Sequence, residues 1–531
     1  MFKETYNAPL LEVLREYRKR QDTSFHVPGH KDGQAWQAYS GDEKELAQVM
    51  GIDATEITGT DDLHHPQGVI QEAQRLAAIQ FGAEETCFLV GGSTAGNLAL
   101  ILSVCTTPGD VLLVQRNVHK SVIHGLMLAG AHAVFLAPQQ DPGSGLSTLP
   151  STAVVGEALR RYPGAKGVLV THPNYYGMGA PLRPLADICH AHGVPLLVDE
   201  AHGAHFGQHP ALPESALAAG ADGVVQSTHK MLTALTMGAM LHVQGGLLDR
   251  TLLKQRLAML QSSSPSYPIM ASLDWSRSLL QAHGPDLLEE GLAAAAEIRQ
   301  GLKQLSRFAV VEPPGASGES TAYTIQDPWK LVIYDAAGRL NGYELQERLE
   351  AEGCVPEMSD DRYVVLALGP GTTSQHAVHL LTALQRIAEV ELKSGRKADK
   401  SALSANFSEP VQVSDVFSRQ ISTWNNVEDG VQPPLRDVWQ GEGLQFAISE
   451  SVAFNLTPVL PKEIESVPVE HSAGRRAAEM VIPYPPGIPL LYPGEKITEI
   501  LAERLVGLRN SGAKCQGAAD SQLLTIQVLK L

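Results

Sequence analysis

Between about residues 69 and 245, short apolar runs alternate with longer stretches of helical period. The runs are CFLV (87–90), VLLV (111–114), AVFLA (133–137), GVLVT (167–171), VPLLVD (194–199), GVVQS (223–227) and GAMLHV (238–243). Polar residues seldom interrupt them, which predicts strands buried on both faces of a mainly parallel sheet. The stretches 95–105, 153–162 and 182–192 supply helical crossovers between them. Seven strands covered by helices make a doubly wound α/β domain over residues 69–260, after an N-terminal segment at 1–68. Residues 261–308, rich in Ala, Leu, Glu and Gln, read as a helical connection. Residues 309–395 mix strands (KLVIYD, YVVLAL) with helices (GYELQERLEAEG, SQHAVHLLTALQRIAEV), the texture of a smaller α+β domain. Residues 396–440 are polar and read as a linker, and 441–531 as a C-terminal α+β domain holding the Pro-rich IPYPPGIPLLYPGE at 482–495.

Composition narrows the class. In 531 residues, 44% are hydrophobic and 19% charged, ordinary for a folded globular chain and against disorder. Forty-one basic and 58 acidic side chains leave a formal charge of −17, which argues against nucleic acid or an anionic membrane as partner. The five cysteines (Cys87, Cys105, Cys189, Cys354, Cys515) are scattered and form no CxxC pair, so they read as reduced thiols in a cytoplasmic setting. The first residues, MFKETYNAPLLEVLREYRKRQD, form a charged amphipathic helix pattern rather than a signal peptide. No run of ~18 apolar residues occurs, so no membrane span is expected. No metal-ligand set is read.

Four loops after strands carry chemistry. In QSTHKM (226–231) a lysine, Lys230, closely follows a strand, at the edge where open α/β sheets bind ligands. A lysine there can form a Schiff base with a carbonyl cofactor if its pKa is lowered; the plain alternative is a surface lysine starting a helix. In VDEAHG (198–203) Asp199 closes an apolar strand, 31 residues before Lys230. An acid so placed needs a partner, and the protonated ring nitrogen of pyridoxal phosphate is one; a helix N-cap is the other reading. LVGGSTAGN (89–97) offers Ser93, Thr94 and the first N–H groups of a helix as an anion cradle, without Walker or GxGxxG spacing. In RNVHKS (116–121), His119 can stack on an aromatic ring or simply be solvated. Phosphate cradle, ring-stacking histidine, ring-nitrogen acid and Schiff-base lysine, in that order on one sheet, read as a pyridoxal-phosphate enzyme with the aspartate-aminotransferase-like fold, fold type I.

At this point the chain resembles a family, the bacterial Orn/Lys/Arg decarboxylases. The likeness runs from FHVPGHKDG (25–33) and DATEITGTDDLHHPQGVIQEAQRLAA (53–78) through the four loops above. THPNYYG (171–177), SSSPSYPIMASLD (262–274) and GRRAAEMVIPYPPGIPLLYPGE (474–495) extend it. The chain resembles the short branch, without the N-terminal wing domain of the long members. Residues 405–465 are expected to depart from the family pattern.

The resemblance implies that Lys230 carries pyridoxal 5'-phosphate as a Schiff base, with Asp199 on the pyridine nitrogen and His119 on the ring. Ser93, Thr94, Ala95, Ser227 and His229 would hold the phosphate, and His202 would sit near the reacting centre. The SSSPSY stretch, with Ser264, resembles the one such enzymes send into a neighbouring subunit, implying a homodimer or larger assembly. The implied reaction is α-decarboxylation of arginine (favoured), lysine or ornithine to agmatine, cadaverine or putrescine, in polyamine biosynthesis. Proton return to Cα would come from His202, Lys230 or another nearby acid. The substrate's distal cation needs a carboxylate, and Glu56, Asp61, Asp62 and Glu495 are the candidates, each also readable as a turn or capping acid. Two alternatives stay open. One is an aminotransferase or lyase of the same fold, for which Arg362 is the nearest α-carboxylate grip; the other is an inactive regulatory homologue.

Overall fold

The computed structural model describes residues 6–39, 44–313, 322–393 and 447–530; the expected linker at 396–440 lies outside them. All seven expected strands form: β1 (Glu85–Leu89), β2 (Val111–Gln115), β3 (His132–Leu136), β4 (Val168–Thr171), then, past a two-residue β5 (Met178–Gly179), β6 (Leu196–Asp199), β7 (Gly223–Gln226) and β8 (Ala239–Val243). Neighbours β3, β2, β4, β6 and β7 pair in parallel, and β8 runs antiparallel between β7 and β1. Successive residues face opposite sides. Leu112 and Val114 join one buried cluster while Leu113 joins the other, and Leu197 is split in the same way from Leu196 and Val198. Each such side chain fully withdrawn from water contributes about 1.5–3 kcal/mol, so neither face tolerates charge except at strand ends.

The seven-strand expectation needs one correction. Ile448–Ala453, at the start of the C-terminal region, lies antiparallel against β3 and makes an eighth strand. It covers an edge whose N–H and C=O groups would otherwise stand open. Phe454, just beyond, packs edge-on against Phe135 of β3 and against Tyr492.

The expected helical connection is two helices, Tyr267–His283 and Asp286–Gln304, broken at Gly284 and Pro285. Proline has no N–H to continue the first helix. Beyond them come β9 (Phe308–Val310), β10 (Ile325–Gln326), β11 (Lys330–Asp335), β12 (Met358–Ser359) and β13 (Val364–Ala367). Four of these form the antiparallel sheet β12-β13-β11-β9, while β10 pairs with β5 and ties the small domain to the turn after β4. The C-terminal region adds two short strand pairs and the helix Glu499–Asn510 around a core of its own. Among the described residues no helix is long and apolar enough to cross a membrane.

Helix Gly92–Val104 lies unusually close to the sheet. A Cβ on Gly96 would stand 2.8 Å from Leu89 and 2.9 Å from Val225. That contact draws the helix N-terminus over the carboxyl ends of β1 and β7, where the chemistry gathers.

Candidate active site

Turns after β1, β2, β4, β6 and β7 open on one cleft of about 1020 Å³, walled opposite by the small domain and the Pro-rich C-terminal segment. The strand order brings together residues far apart in sequence. Lys230 follows β7 in the short helix Thr228–Met231, and its Nζ stands 3.0 Å from His202 Nε2, in the turn after β6. Water reaches Lys230 inside the cleft, but the surrounding protein still penalises its charge, and its pKa is lowered even though Asp199 and Glu357 pull it upward. His202 is buried, and burial together with the Lys230 and Lys330 charges holds it well below the usual histidine range. It is therefore a neutral imidazole, able to pass a proton at Nε2.

Asp199, the last residue of β6, is 3% exposed. Its Oδ2 accepts a hydrogen bond from Asn97 Nδ2 at 2.8 Å and its Oδ1 one from the Ala201 N–H at 3.2 Å. Burial raises its pKa, and the Asn97 bond and the Lys230 charge oppose the rise. Asn97 Nδ2 also donates to Ser121 Oγ at 3.0 Å, which lies 2.9 Å from His119 Nδ1. Because Nδ1 also accepts the Ser121 N–H at 3.2 Å, the network assigns the proton to Nε2. Burial and the nearby lysines push His119 down to about 3, so its ring is neutral at any ordinary pH.

The cradle at the other end of the cleft has Ser93 and Ser227 sharing a 2.6 Å hydroxyl hydrogen bond beside Thr94. Ala95, also expected at the phosphate, is buried and does not line the cleft. His229 donates from Nδ1 to the Gly238 carbonyl at 3.0 Å. Among the described residues, Asn97 Oδ1, Thr171 Oγ1 and His202 Nδ1 are buried polar atoms without a hydrogen-bond partner, and all three residues line the cleft. A buried ring acid, an anion cradle, a neutral flat imidazole and a lysine of lowered pKa fit the donor set that pyridoxal phosphate requires.

The four acids read as binding the substrate's distal cation do not line this cleft. Glu495 is turned to Arg116, at 3.4 Å with both side chains buried, and accepts the Tyr492 N–H at 2.9 Å; its role is to fasten the C-terminal segment. Asp61 accepts backbone N–H groups from Asp62, Gln67, Gly68, Ile70 and Gln71. Burial works against its charge, but those bonds outweigh it and its pKa is lowered. Asp62 caps the His64 N–H at 2.8 Å, and Glu56 is exposed with Thr55 donating to it at 2.6 Å. Ser264 is exposed and outside the cleft of its own chain. Arg362 is also outside, its guanidinium 5.1 Å from the Tyr363 ring.

In their place stand residues that the motifs did not single out. Glu357 accepts the Tyr175 hydroxyl at 2.8 Å, and Lys330 and Asp360 complete that wall. Lysine at the head of a strand with an apolar middle, KLVIYD, was a readable signal; Glu357, in an irregular turn, carried none. Asn97 stands inside the quoted GGSTAGN motif, but its bond to Asp199 spans 102 positions.

Residues 8–376 match the family described as Orn/Lys/Arg decarboxylase, major domain, and residues 447–517 the C-terminal domain of the same family. The second match includes part of the stretch expected to depart at 405–465, so from residue 447 onward that expectation is corrected. Among curated relatives, YaaO of Bacillus subtilis is 39% identical over 96% of each chain. The arginine decarboxylase of Bacillus anthracis is 34% identical over 99% of this chain and 98% of its own. The lysine decarboxylase LdcA of Pseudomonas aeruginosa is 25% identical over 92% of this chain and 74% of its own. Among solved structures, the Francisella novicida lysine decarboxylase LdcF superposes with a TM-score of 0.76 over 99% of this chain and 82% of that one, at 21% identity. The chain belongs to the Orn/Lys/Arg decarboxylase family and, like it, is an amino-acid decarboxylase of pyridoxal-phosphate fold type I.

Proposed function

We infer that the protein removes the α-carboxyl of a basic amino acid, arginine in preference to lysine or ornithine, with pyridoxal phosphate at Lys230. The cleft carries this reading: Lys230 within 3.0 Å of a neutral His202, beside a buried Asp199 and a locked His119. Full-length similarity to arginine decarboxylases supports the preference.

Lys230 would hold the cofactor, with Asp199 at its ring nitrogen and His119 against its ring. Ser93, Thr94, Ser227 and His229 would bind its phosphate. When bound, pyridoxal phosphate supplies an electron sink for the bond to the departing carboxyl. The protein keeps Asp199 ionised through Asn97 and returns a proton to Cα from His202 or Lys230.

Of the acids lining the cleft, Glu357 is the one we assign to the substrate's distal cation. Asp360 has its carboxylate committed to the Tyr176 hydroxyl at 2.6 Å and to the backbone of Arg362 and Tyr363. Glu357 is exposed to the cleft and satisfied only by Tyr175 among the described residues. The exposed Ser262–Ser264 stretch is assigned to a neighbouring subunit's site in a cytoplasmic homodimer. An aminotransferase reading loses its α-carboxylate grip, because Arg362 faces away.

The test is release of carbon dioxide and amine by cofactor-loaded protein given arginine, lysine and ornithine, with Lys230→Ala as control. Arginine is expected to turn over fastest, forming agmatine, and the variant to be inactive. Failure with all three substrates, the cofactor being bound, would overturn the reading.

A further inference from the structure

The cleft holds a second lysine. Lys330, at the head of β11, is 1% exposed and its side chain lines the cavity. Ammonium groups this deep are rare without a facing anion. The fold pins this one. Gly177, at φ +81°, comes so near that a Cβ there would stand 2.5 Å from Lys330 Cβ. Only glycine combines that backbone conformation with that approach.

Several charged and polar groups face Lys330 Nζ. The Tyr175 ring, from the turn after β4, has its centroid 5.4 Å away, and its hydroxyl bonds Glu357 at 2.8 Å. Glu357 and Asp327 attract the ammonium, whereas Lys230 repels it and it in turn repels His202. Asp327 Oδ1 is committed to His205 Nε2 and the Trp329 N–H, each at 2.9 Å. Asp327 is fully buried and does not line the cleft, whereas Glu357 is exposed to it and is the acid a substrate can reach.

We propose that Lys330 sets how the enzyme's affinity for basic amino acids depends on pH, because its ammonium and the substrate's distal cation compete for the Glu357 carboxylate. The inference rests on the assignment of Glu357 made above. When substrate binds, its cation takes over Glu357 and Lys330 gives up its proton to solvent. One positive charge enters and one leaves, so the cleft's net charge is unchanged. A neutral side chain leaves Lys330 and Glu357 undisturbed, so only basic amino acids feel the competing Lys330 charge.

Burial lowers Lys330 to about 8, with Glu357 and Asp327 opposing. At pH 7 roughly nine molecules in ten carry the proton, so apparent affinity is reduced roughly tenfold relative to a permanently neutral residue. The experiment compares wild type, Lys330→Met (never charged) and Lys330→Arg (always charged), measuring KM for arginine and lysine from about pH 6.5 to 9. Relative to wild type, Lys330→Met is expected to show a roughly tenfold lower KM at pH 7, converging with it above pH ~8.5. Lys330→Arg should keep the high KM throughout. A wild-type KM and profile in Lys330→Met, or the same downward step in Lys330→Arg, would overturn the proposal, and either variant decides if the other does not fold. Wild type that releases no amine from any basic amino acid removes the function reading itself. Active wild type whose variants follow its profile removes this inference alone.

Discussion

Asn97→Ala isolates the link between the buried acid and the rest of the cleft. Asn97 Nδ2 supplies one of the two hydrogen bonds to the Asp199 carboxylate among the described residues, at 2.8 Å, and steadies Ser121 at 3.0 Å. Asp199 is already driven toward its neutral form by burial. A hydrogen bond to a charged group is worth about 1.5–3 kcal/mol, and 1.36 kcal/mol corresponds to one pKa unit. Losing it should raise the Asp199 pKa by a further ~1–2 units and weaken its hold on a protonated ring nitrogen by roughly ten- to a hundredfold. Because Ser121 also meets His119, whatever stacks on that ring is loosened as well. The assay pairs kcat/KM for amine release, across pH, with the rate at which bound cofactor is lost, followed by its absorbance. The acid limb of the rate profile should move toward neutrality, and cofactor loss should accelerate. Asn97→Asp, which sets a second carboxylate against Asp199, should be worse than alanine at pH 7. A thermal melt of cofactor-free protein separates these effects from plain destabilisation. If Asn97→Ala keeps wild-type kcat/KM, pH profile and cofactor retention, Asp199 does not depend on this bond and the electrostatic account of the site is wrong.

Two carboxylates should behave oppositely. Glu357→Gln is expected to raise KM for basic amino acids roughly 10–100-fold, the loss of one charge-assisted contact, with kcat changed little. Glu495→Ala should leave KM of the folded enzyme unaltered yet lower stability by about 3 kcal/mol in urea unfolding. It strands the Arg116 charge in the interior, where the Pro489 and Leu490 carbonyls still receive it. Acid stability follows from His242, fully buried and lowered to about 3. Below pH ~6.5 the unfolded chain takes a proton that the folded state refuses, so stability falls as pH drops toward 3, by about 2 kcal/mol at pH 5 from this residue. His242→Gln should flatten that part of the calorimetric Tm-against-pH curve, and an unchanged slope would count against the burial argument.

Which parts of this design were readable in the chain follows from the range of each interaction. The buried strands are written in their own residues: VLLV or LLV cannot lie on a solvated surface at tolerable cost, whatever surrounds it. Lys230, Asp199, His119 and the GGST turn were legible because each ends its strand or follows it within a few positions, and the strand order puts those ends on one edge. The eighth strand was not. ISESVA has only its first residues buried and no apolar run, and it is a strand because β3 offers an open edge. Local composition also misled where direction mattered. The acids of GTDDLHHP and YPGE are dense in charge, yet their carboxylates close turns or pair with Arg116, and a sequence records that an acid is present but not where it points. Asn97 on Asp199, Tyr175 on Glu357 and Gly177 against Lys330 join segments 102, 182 and 153 positions apart. Short-range steric and hydrophobic preferences decided the elements from sequence alone. Which polar groups share the cleft depended on how the domains pack, and only the tertiary structure decided it.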